Sequence, residues 1–273
     1  MGEMGSGVAR RLVERGARVL TSLAGRSSAS AERARIAGVE PVDDATLISD
    51  VELFLSIVPP SSAGETAQRF MPLVERAENR PAFIDCNAIA PQTLHAISQP
   101  YLDRGLPFID ASIIGGAPKG DDAGPRLYMS DPISKEAEML MTLGLDARIL
   151  STQLGDASAL KMAYAGITKG FHALGTSMAL GAARNGAADS FVAELKDSQP
   201  QLYAWLAKQL PSMYAKAYRW DGEMREIAKF LQPEDGASQM LTGAANLYLH
   251  VAEENRAGPE SEIISTLDRF VKG

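Results

Sequence analysis

The first half of the chain alternates short apolar runs with segments of helical spacing, and that alternation limits the folds open to it. Residues 18–23, 51–58, 82–85 and 107–113 read as strands, with 51–58 stopped by Pro59 and Pro60. Residues 8–15, 29–37, 63–76 and 91–101 read as helices; in the first, Val8, Leu12 and Val13 share a face. Strands alternating with helices predict an α/β domain whose parallel sheet is covered on both faces. From about Gly155 the pattern changes. Residues 157–185 form one long apolar-periodic stretch rich in Ala, Met and Leu. Segments 191–196, 202–209, 212–217, 222–231 and 237–254 follow, none strand-like, and Ala257-Gly258-Pro259 breaks the chain before a closing helix. Two domains are expected: a parallel-sheet domain over residues 1–152 and an all-α domain over 153–273.

Composition narrows the function. The net charge of −7 disfavours nucleic acid as a partner. No apolar run approaches the ~18–20 residues of a membrane helix, and the first dozen residues lack the apolar core of a secretory signal. One cysteine, Cys86, rules out an internal disulfide framework and fits a reducing cytoplasm. With no histidine near it in sequence it reads as a packed thiol. His95, His172 and His250 have no metal-ligand spacing.

The chain opens Met1-Gly2-Glu3-Met4-Gly5-Ser6 directly into a helix. In a dinucleotide-binding fold a strand ends in G-x-G-x-x-G, and the pyrophosphate sits on the helix N-terminus, where free N–H groups and the helix dipole favour anions. Gly2 and Gly5 have the spacing of the second and third glycines of such a corner, with Glu3 and Met4 between them; an ordinary turn is the alternative. The first glycine and its strand would lie before Met1. Neighbouring strands would then carry unpaired N–H and C=O groups at ~1–3 kcal/mol each. The expectation is a Rossmann-like domain lacking its first strand, in a natural protein that begins roughly ten residues earlier. About twenty residues after Gly5, where an acidic residue would hold the ribose of NAD, stands Ala24-Gly25-Arg26-Ser27-Ser28. Arg26 flanked by hydroxyls suits a 2′-phosphate, so NADP is expected over NAD; a solvated turn is the alternative.

Four segments in order resemble the β-hydroxyacid dehydrogenase superfamily, which includes 3-hydroxyisobutyrate and 6-phosphogluconate dehydrogenases. Gly2-Glu3-Met4-Gly5 resembles G-x-G-x-M-G, and Asp85-Cys86-Asn87-Ala88-Ile89-Ala90-Pro91 resembles D-x-S-T-x-x-P. Asp110-Ala111-Ser112-Ile113-Ile114-Gly115-Gly116 resembles D-A-P-V-S-G-G, and Gly155-Asp156-Ala157-Ser158-Ala159-Leu160-Lys161 resembles G-x-G-x-x-x-K. Tyr218-Arg219-Trp220-Asp221-Gly222-Glu223-Met224-Arg225-Glu226-Ile227-Ala228 resembles a branch with a C-terminal helical domain of unknown function, DUF1932. The resemblance implies hydride transfer between NADP and a small hydroxyacid-type alcohol or its carbonyl. It also implies a homodimer through the helical domain, to which the long small-residue-rich helix is suited. Two positions depart from the pattern. Asn87-Ala88 replaces Ser-Thr, and Ala165 stands where the family has Asn one turn after its lysine, leaving Tyr164 and Thr168 as nearby polar candidates.

Such chemistry needs a group that exchanges the hydroxyl proton. Lys161 lies in an Ala/Leu/Met-rich helix at the domain boundary, where a cleft is expected; a snorkelling lysine is the alternative. Lys169, two turns on, is the second candidate acid or a binder of an acidic substrate group. Val58 and Pro59, at a strand's carboxyl end, are expected to wall the nicotinamide. Asn87, Gly115, Gly116 and Tyr164 are the other expected substrate contacts, the glycines through backbone amides unless they are ordinary turn residues. Asp85 and Asp110 read as structural or helix-capping groups, Trp220 as core and Glu223 as a solvated face, with pocket-lining the alternative for Trp220, Glu223 and Met224. Reduction of C=N bonds, or a cofactor-binding relative without turnover, are the competing functions.

Overall fold

The computed structural model describes residues 1–118, 124–130, 134–258 and 261–273; Pro259 of the predicted break lies outside them. The chain forms two compact units, Met1–Met162 and Ala163–Gly273. The first runs α1 (Glu3–Glu14), β1 (Leu20–Thr21), α2 (Ser28–Ile36), β2 (Glu40–Pro41), α3 (Asp44–Ser49), β3 (Leu53–Ser56) and α4 (Pro60–Arg76). It continues β4 (Ala82–Asp85), α5 (Pro91–Leu102), β5 (Phe108–Ile114), β6 (Arg126–Ser130), α6 (Ser134–Thr142) and β7 (Asp146–Ser151). The next helix, α7 (Asp156–Arg184), begins in the first unit and ends in the second.

Strands β3, β4 and β5 pair in parallel, in sequence order. Every residue of β4 and β5 is buried, as expected where helices cover both faces. On one face Phe83 packs against Phe54, Tyr101 and Phe108 at ring separations of 5.1, 5.1 and 5.4 Å. On the other, Val8 and Leu12 of α1 join Ile84, Ile109, Ala111 and Ile113. One feature departs from the expected parallel sheet: β6 runs antiparallel to β5, and β7 then pairs parallel to β6.

The sheet is divided. β1 pairs only with β2 among the described residues, and β3 to β7 form a separate sheet. α1 spans the division: Val8 and Leu12 pack on the larger sheet, while Ala9 packs with Ala34, Ala37 and Val39 beside the smaller one.

The second unit is helical: the rest of α7, then α8 (Ala188–Ser198), α9 (Pro200–Tyr214), α10 (Ala217–Phe230), α11 (Asp235–Ala257) and α12 (Glu262–Lys272). Residues 202–209 and 212–217 read as two helices in the sequence. Through residue 214 they are one, because Leu206, Leu210 and Met213 keep a continuous buried face across Pro211. Trp220 is buried as expected, edge-on to Tyr248 at 5.2 Å. No described helix is long and apolar enough to cross a membrane.

Gly7, not singled out in the sequence, is where α1 most needs the absence of a side chain. A Cβ there would lie 2.9 Å from Cδ of Pro118, whereas one on Gly5 would make only ordinary contacts at 3.8 Å and beyond. Gly7→Ala is therefore expected to lose about 1–3 kcal/mol. Gly5→Ala should gain up to about 1 kcal/mol through helix propensity. Urea unfolding of the two variants checks the opposite signs.

Candidate active site

Register brings the carboxyl ends of β3 and β4 beside the third residue of β5. Ser56 pairs with Asp85, and Asp85 with Asp110. Both carboxylates are almost wholly buried, at 1% and 0% exposure, so each needs donors. Asp85 receives the backbone N–H of Asn87 (2.9 Å) and its Nδ2 (2.9 Å). That Nδ2 also donates to Oγ of Ser56 (3.0 Å), while Oδ1 accepts the N–H of Val58 (2.7 Å). Asn87, expected to contact substrate, thus has both amide atoms engaged inside the protein at 2% exposure. Its bonds fix the backbone of Val58, next to Pro59, at the end of β3.

Asp110 closes the start of α7. Its Oδ2 accepts the N–H groups of Gly155 (3.0 Å) and Ser158 (3.1 Å), and its Oδ1 accepts the Ser158 hydroxyl (2.7 Å). Oγ of Ser130 accepts the N–H of Ala157 (2.6 Å). Asp110 and Ser130 are direct partners across the antiparallel β5–β6 pair, so two strands present capping groups side by side. One turn further along α7, Nζ of Lys161 donates to the carbonyl of Ile113 (2.6 Å). Lys161 therefore reaches the penultimate residue of β5, two residues before Gly115. Gly115 has φ of 131°, and a Cβ there would approach Cα of Pro125 to 3.0 Å, so no other residue fits without strain. Gly116 is exposed, with open space where a side chain would be.

Burial pushes the Asp85 carboxyl up to about 7; the Asn87 donors oppose this and the Asp110 charge adds to it. Burial also raises Asp110, against the pull of the Ser158, Gly155 and Ala157 donors. The Cys86 thiol is pushed well up by burial, as befits a packed group.

The glycine corner fits a dinucleotide phosphate. α1 starts at an extended Gly2 with no side-chain cap, and nothing stands within 4 Å of a Cβ built there. The first-turn amides of Glu3, Met4 and Gly5 thus suit an anion. Ser27 caps α2, accepting the N–H of Ser30 (3.3 Å), and holds the exposed Arg26 at that helix's entrance. Nε of Arg33 reaches the carbonyl of Met1 (2.7 Å), and the charges of Arg33 and Arg26 both act on the Met1 amine. The sequence reading did not single out Arg33, which sits inside a helix of weak amphipathicity. It also missed Ser56, Ser130 and Ser158, whose partners lie on other elements.

Tyr164 and Lys169 lie in the second unit. Tyr164 is 53% exposed. Lys169 forms an ion pair with Glu223 (2.7 Å) and lies 5.3 Å from the centre of the Trp220 ring. Glu223, expected on a solvated face, is mostly buried in that pair. Ala165, where the family has Asn, is buried.

Residues 1–130 match the NAD binding domain of 6-phosphogluconate dehydrogenase, and residues 182–251 match a domain of unknown function, DUF1932. A conserved protein of unknown function, described as structurally similar to 3-hydroxyacid dehydrogenases, is 28% identical. The match covers 90% of this chain and 96% of that one, with a TM-score of 0.66. The Mycobacterium tuberculosis 3-hydroxyisobutyrate dehydrogenase, solved with L-serine, is 16% identical over 97% and 96% of the two chains, TM-score 0.68. An imine reductase from Myxococcus stipitatus, solved with NADP+, is 16% identical over 99% and 97%, TM-score 0.55. The last two show the same fold.

The raised Asp85 carboxyl sets a pH dependence of stability. Between the ordinary carboxylate range near pH 4 and about 7, the folded protein binds a proton at Asp85 that the unfolded chain does not. Asp85 therefore favours folding fully below about pH 4, and this contribution is lost as pH rises to about 7, by at most ~1.4 kcal/mol per unit. Urea unfolding of wild type against Asp85→Asn from pH 4 to 8 should show a gap that changes up to about pH 7 and is constant above it.

Proposed function

We propose that this chain, which joins an NAD binding domain of the 6-phosphogluconate dehydrogenase type to a DUF1932 domain, is an NADP-dependent oxidoreductase. It transfers a hydride between the nicotinamide and a small hydroxyacid-type alcohol or its carbonyl, with Lys161 as general acid and base. The observation that carries this reading is the Lys161 ammonium held at 2.6 Å from the Ile113 carbonyl, at the strand end that leads into Gly115 and Gly116. Ligands of open α/β sheets gather at such strand ends.

Bound NADP would supply the hydride acceptor or donor. The first-turn amides of α1, from Gly2 to Gly5, would hold the pyrophosphate. Arg26, Ser27 and Arg33 would hold the 2′-phosphate through charge-assisted bonds. The Val58–Pro59 backbone, fixed by Asn87, would border the nicotinamide. Asn87 thus serves by positioning that backbone. Backbone amides at Gly115 and Gly116 would receive an acidic substrate group. During alcohol oxidation Lys161 takes the hydroxyl proton; in the reverse direction it returns it to the carbonyl oxygen. Lys169, committed to Glu223, is assigned no proton transfer. The free, buried Cys86 accords with a reducing cytoplasm.

Fluorescence titration with NADPH and NADH, followed by turnover on a panel of 3-hydroxyacids, tests this reading. Arg26→Ala and Arg33→Ala should each weaken NADPH about 10- to 100-fold and leave NADH nearly unchanged. Lys161→Ala should abolish turnover while NADPH still binds. Equal affinity for the two cofactors removes the phosphate assignment, and turnover retained by Lys161→Ala removes the mechanism. Reduction of cyclic imines without action on hydroxyacids would instead favour C=N chemistry.

We also propose that the helical unit pairs with a second copy of the chain. Tyr164, Ile167, Phe171, Leu174 and Met178 are exposed by 53, 64, 44, 56 and 49%. Their alternating three- and four-residue spacing makes one stripe along α7, the spacing by which one helix seats against another. Ala163, Thr168, Gly170 and Ser177 flank the stripe without charge. Sedimentation equilibrium should give a dimer for wild type and a folded monomer for the double variant Ile167→Glu, Leu174→Glu. A dimer that survives both substitutions refutes the stripe.

A further inference from the structure

Lys161 is held by more than its own hydrogen bond. We infer that Asp110 is a positioning residue for Lys161: its carboxylate, by closing the first turn of α7, sets where the lysine stands at the end of β5. This rests on the reading of Lys161 as the proton-transfer group.

Two contacts tie one strand to one helix. Asp110 binds Ser158, and Ile113 binds Lys161, a separation of three residues on both elements. A one-residue slip of α7 keeps neither. The first contact is the firmer. It comprises two backbone N–H bonds and one hydroxyl bond to a carboxylate with no exposed surface, and Ser130 adds a fourth bond from the neighbouring strand. The second ends on a four-carbon side chain whose own freedom is large. Release of Asp110 therefore frees the first turn, and Lys161 at its end loses its fixed approach to Ile113. The groups proposed to hold the cofactor phosphates, on α1 and α2, make no part of this tether.

Isosteric replacement separates position from charge. In Asp110→Asn the amide oxygen can still accept the Gly155 and Ser158 N–H groups, and the amide nitrogen can donate to the Ser158 hydroxyl, which accepts as readily as it donates. In Asp110→Ala all three bonds are lost. Ser158→Ala loses one and keeps the helix cap, which provides a milder variant if Asp110→Ala does not fold.

The test is site-resolved amine labelling of the full-length protein with an N-hydroxysuccinimide acetate, read by mass spectrometry at Lys161, Lys208 and Lys272. It needs no turnover, so it stands or falls independently of the proposed reaction. Asp110→Ala should raise the Lys161 labelling rate about tenfold, Ser158→Ala by less, and Asp110→Asn hardly at all, with Lys208 and Lys272 unchanged in each. An unchanged Lys161 rate in Asp110→Ala and Ser158→Ala overturns the inference. So does a rise shared equally by the three lysines, which would mark general loosening. Where turnover is available, Asp110→Ala should lower kcat by about 100-fold, the scale expected for misplacement by an ångström, with NADPH affinity retained and Asp110→Asn restoring most of the rate.

Discussion

A buried carboxylate facing a buried helix start underlies the site. Each is unfavourable alone: Asp110 has no water to solvate it, and the first amides of α7 have no partners within their own helix. Together they satisfy one another, and the helix dipole adds to the attraction. Ser130 completes the arrangement from the adjacent strand, which it can do only because β6 runs antiparallel and places Ser130 directly opposite Asp110. The antiparallel strand thus has a local consequence at the mouth of the sheet. A parallel neighbour with a different register would leave Ala157 without this acceptor.

Asp85 solves the same problem differently. Its donors come mostly from Asn87, two residues along, so the loop after β4 folds back on the strand end. The remaining capacity of Asn87 then reaches β3 through Ser56 and Val58. The ends of β3 and β4 are linked by two side chains that begin in one motif. Two carboxylates in register also repel, which contributes to the upward shift at Asp85. Asp110, with the Ser158 hydroxyl and several backbone donors, is better supplied to hold the ionised form.

The parts legible in the sequence are those whose signals are local. Residues 82–85 read as a strand and are one, because a short apolar run ending in Asp has few alternatives. A strand ending near Asp110 points to a structural, capping role; in the fold Asp110 is the third residue of β5, and its capping role depends on α7 starting beside that strand. β2 was not legible: two exposed residues, Glu40 and Pro41, have no period to detect. Nor was the antiparallel β6, since direction depends on link length and tertiary pairing. Asn87 shows the limit most clearly. Its amide suits a substrate, yet in the fold it is 2% exposed and bonded to Asp85, Ser56 and Val58, and neither its depth nor those neighbours are written in the motif. Segments 202–209 and 212–217 run together through residue 214 because the buried face on either side of Pro211 outweighs one lost hydrogen bond.

Lys161 and Lys169 make the same point on a single helix. They are two turns apart, share a residue type and look equivalent by periodicity. Lys169 meets a carboxylate at 2.7 Å and an indole ring, a cross-link between α7 and α10 that joins two helices of one core. Lys161 meets a backbone carbonyl at the end of a buried strand. A carbonyl orients an ammonium without neutralising it. The proton-transfer role proposed for Lys161 requires that it be held in place. That requirement is what the buried carboxylate three residues earlier on the same strand supplies.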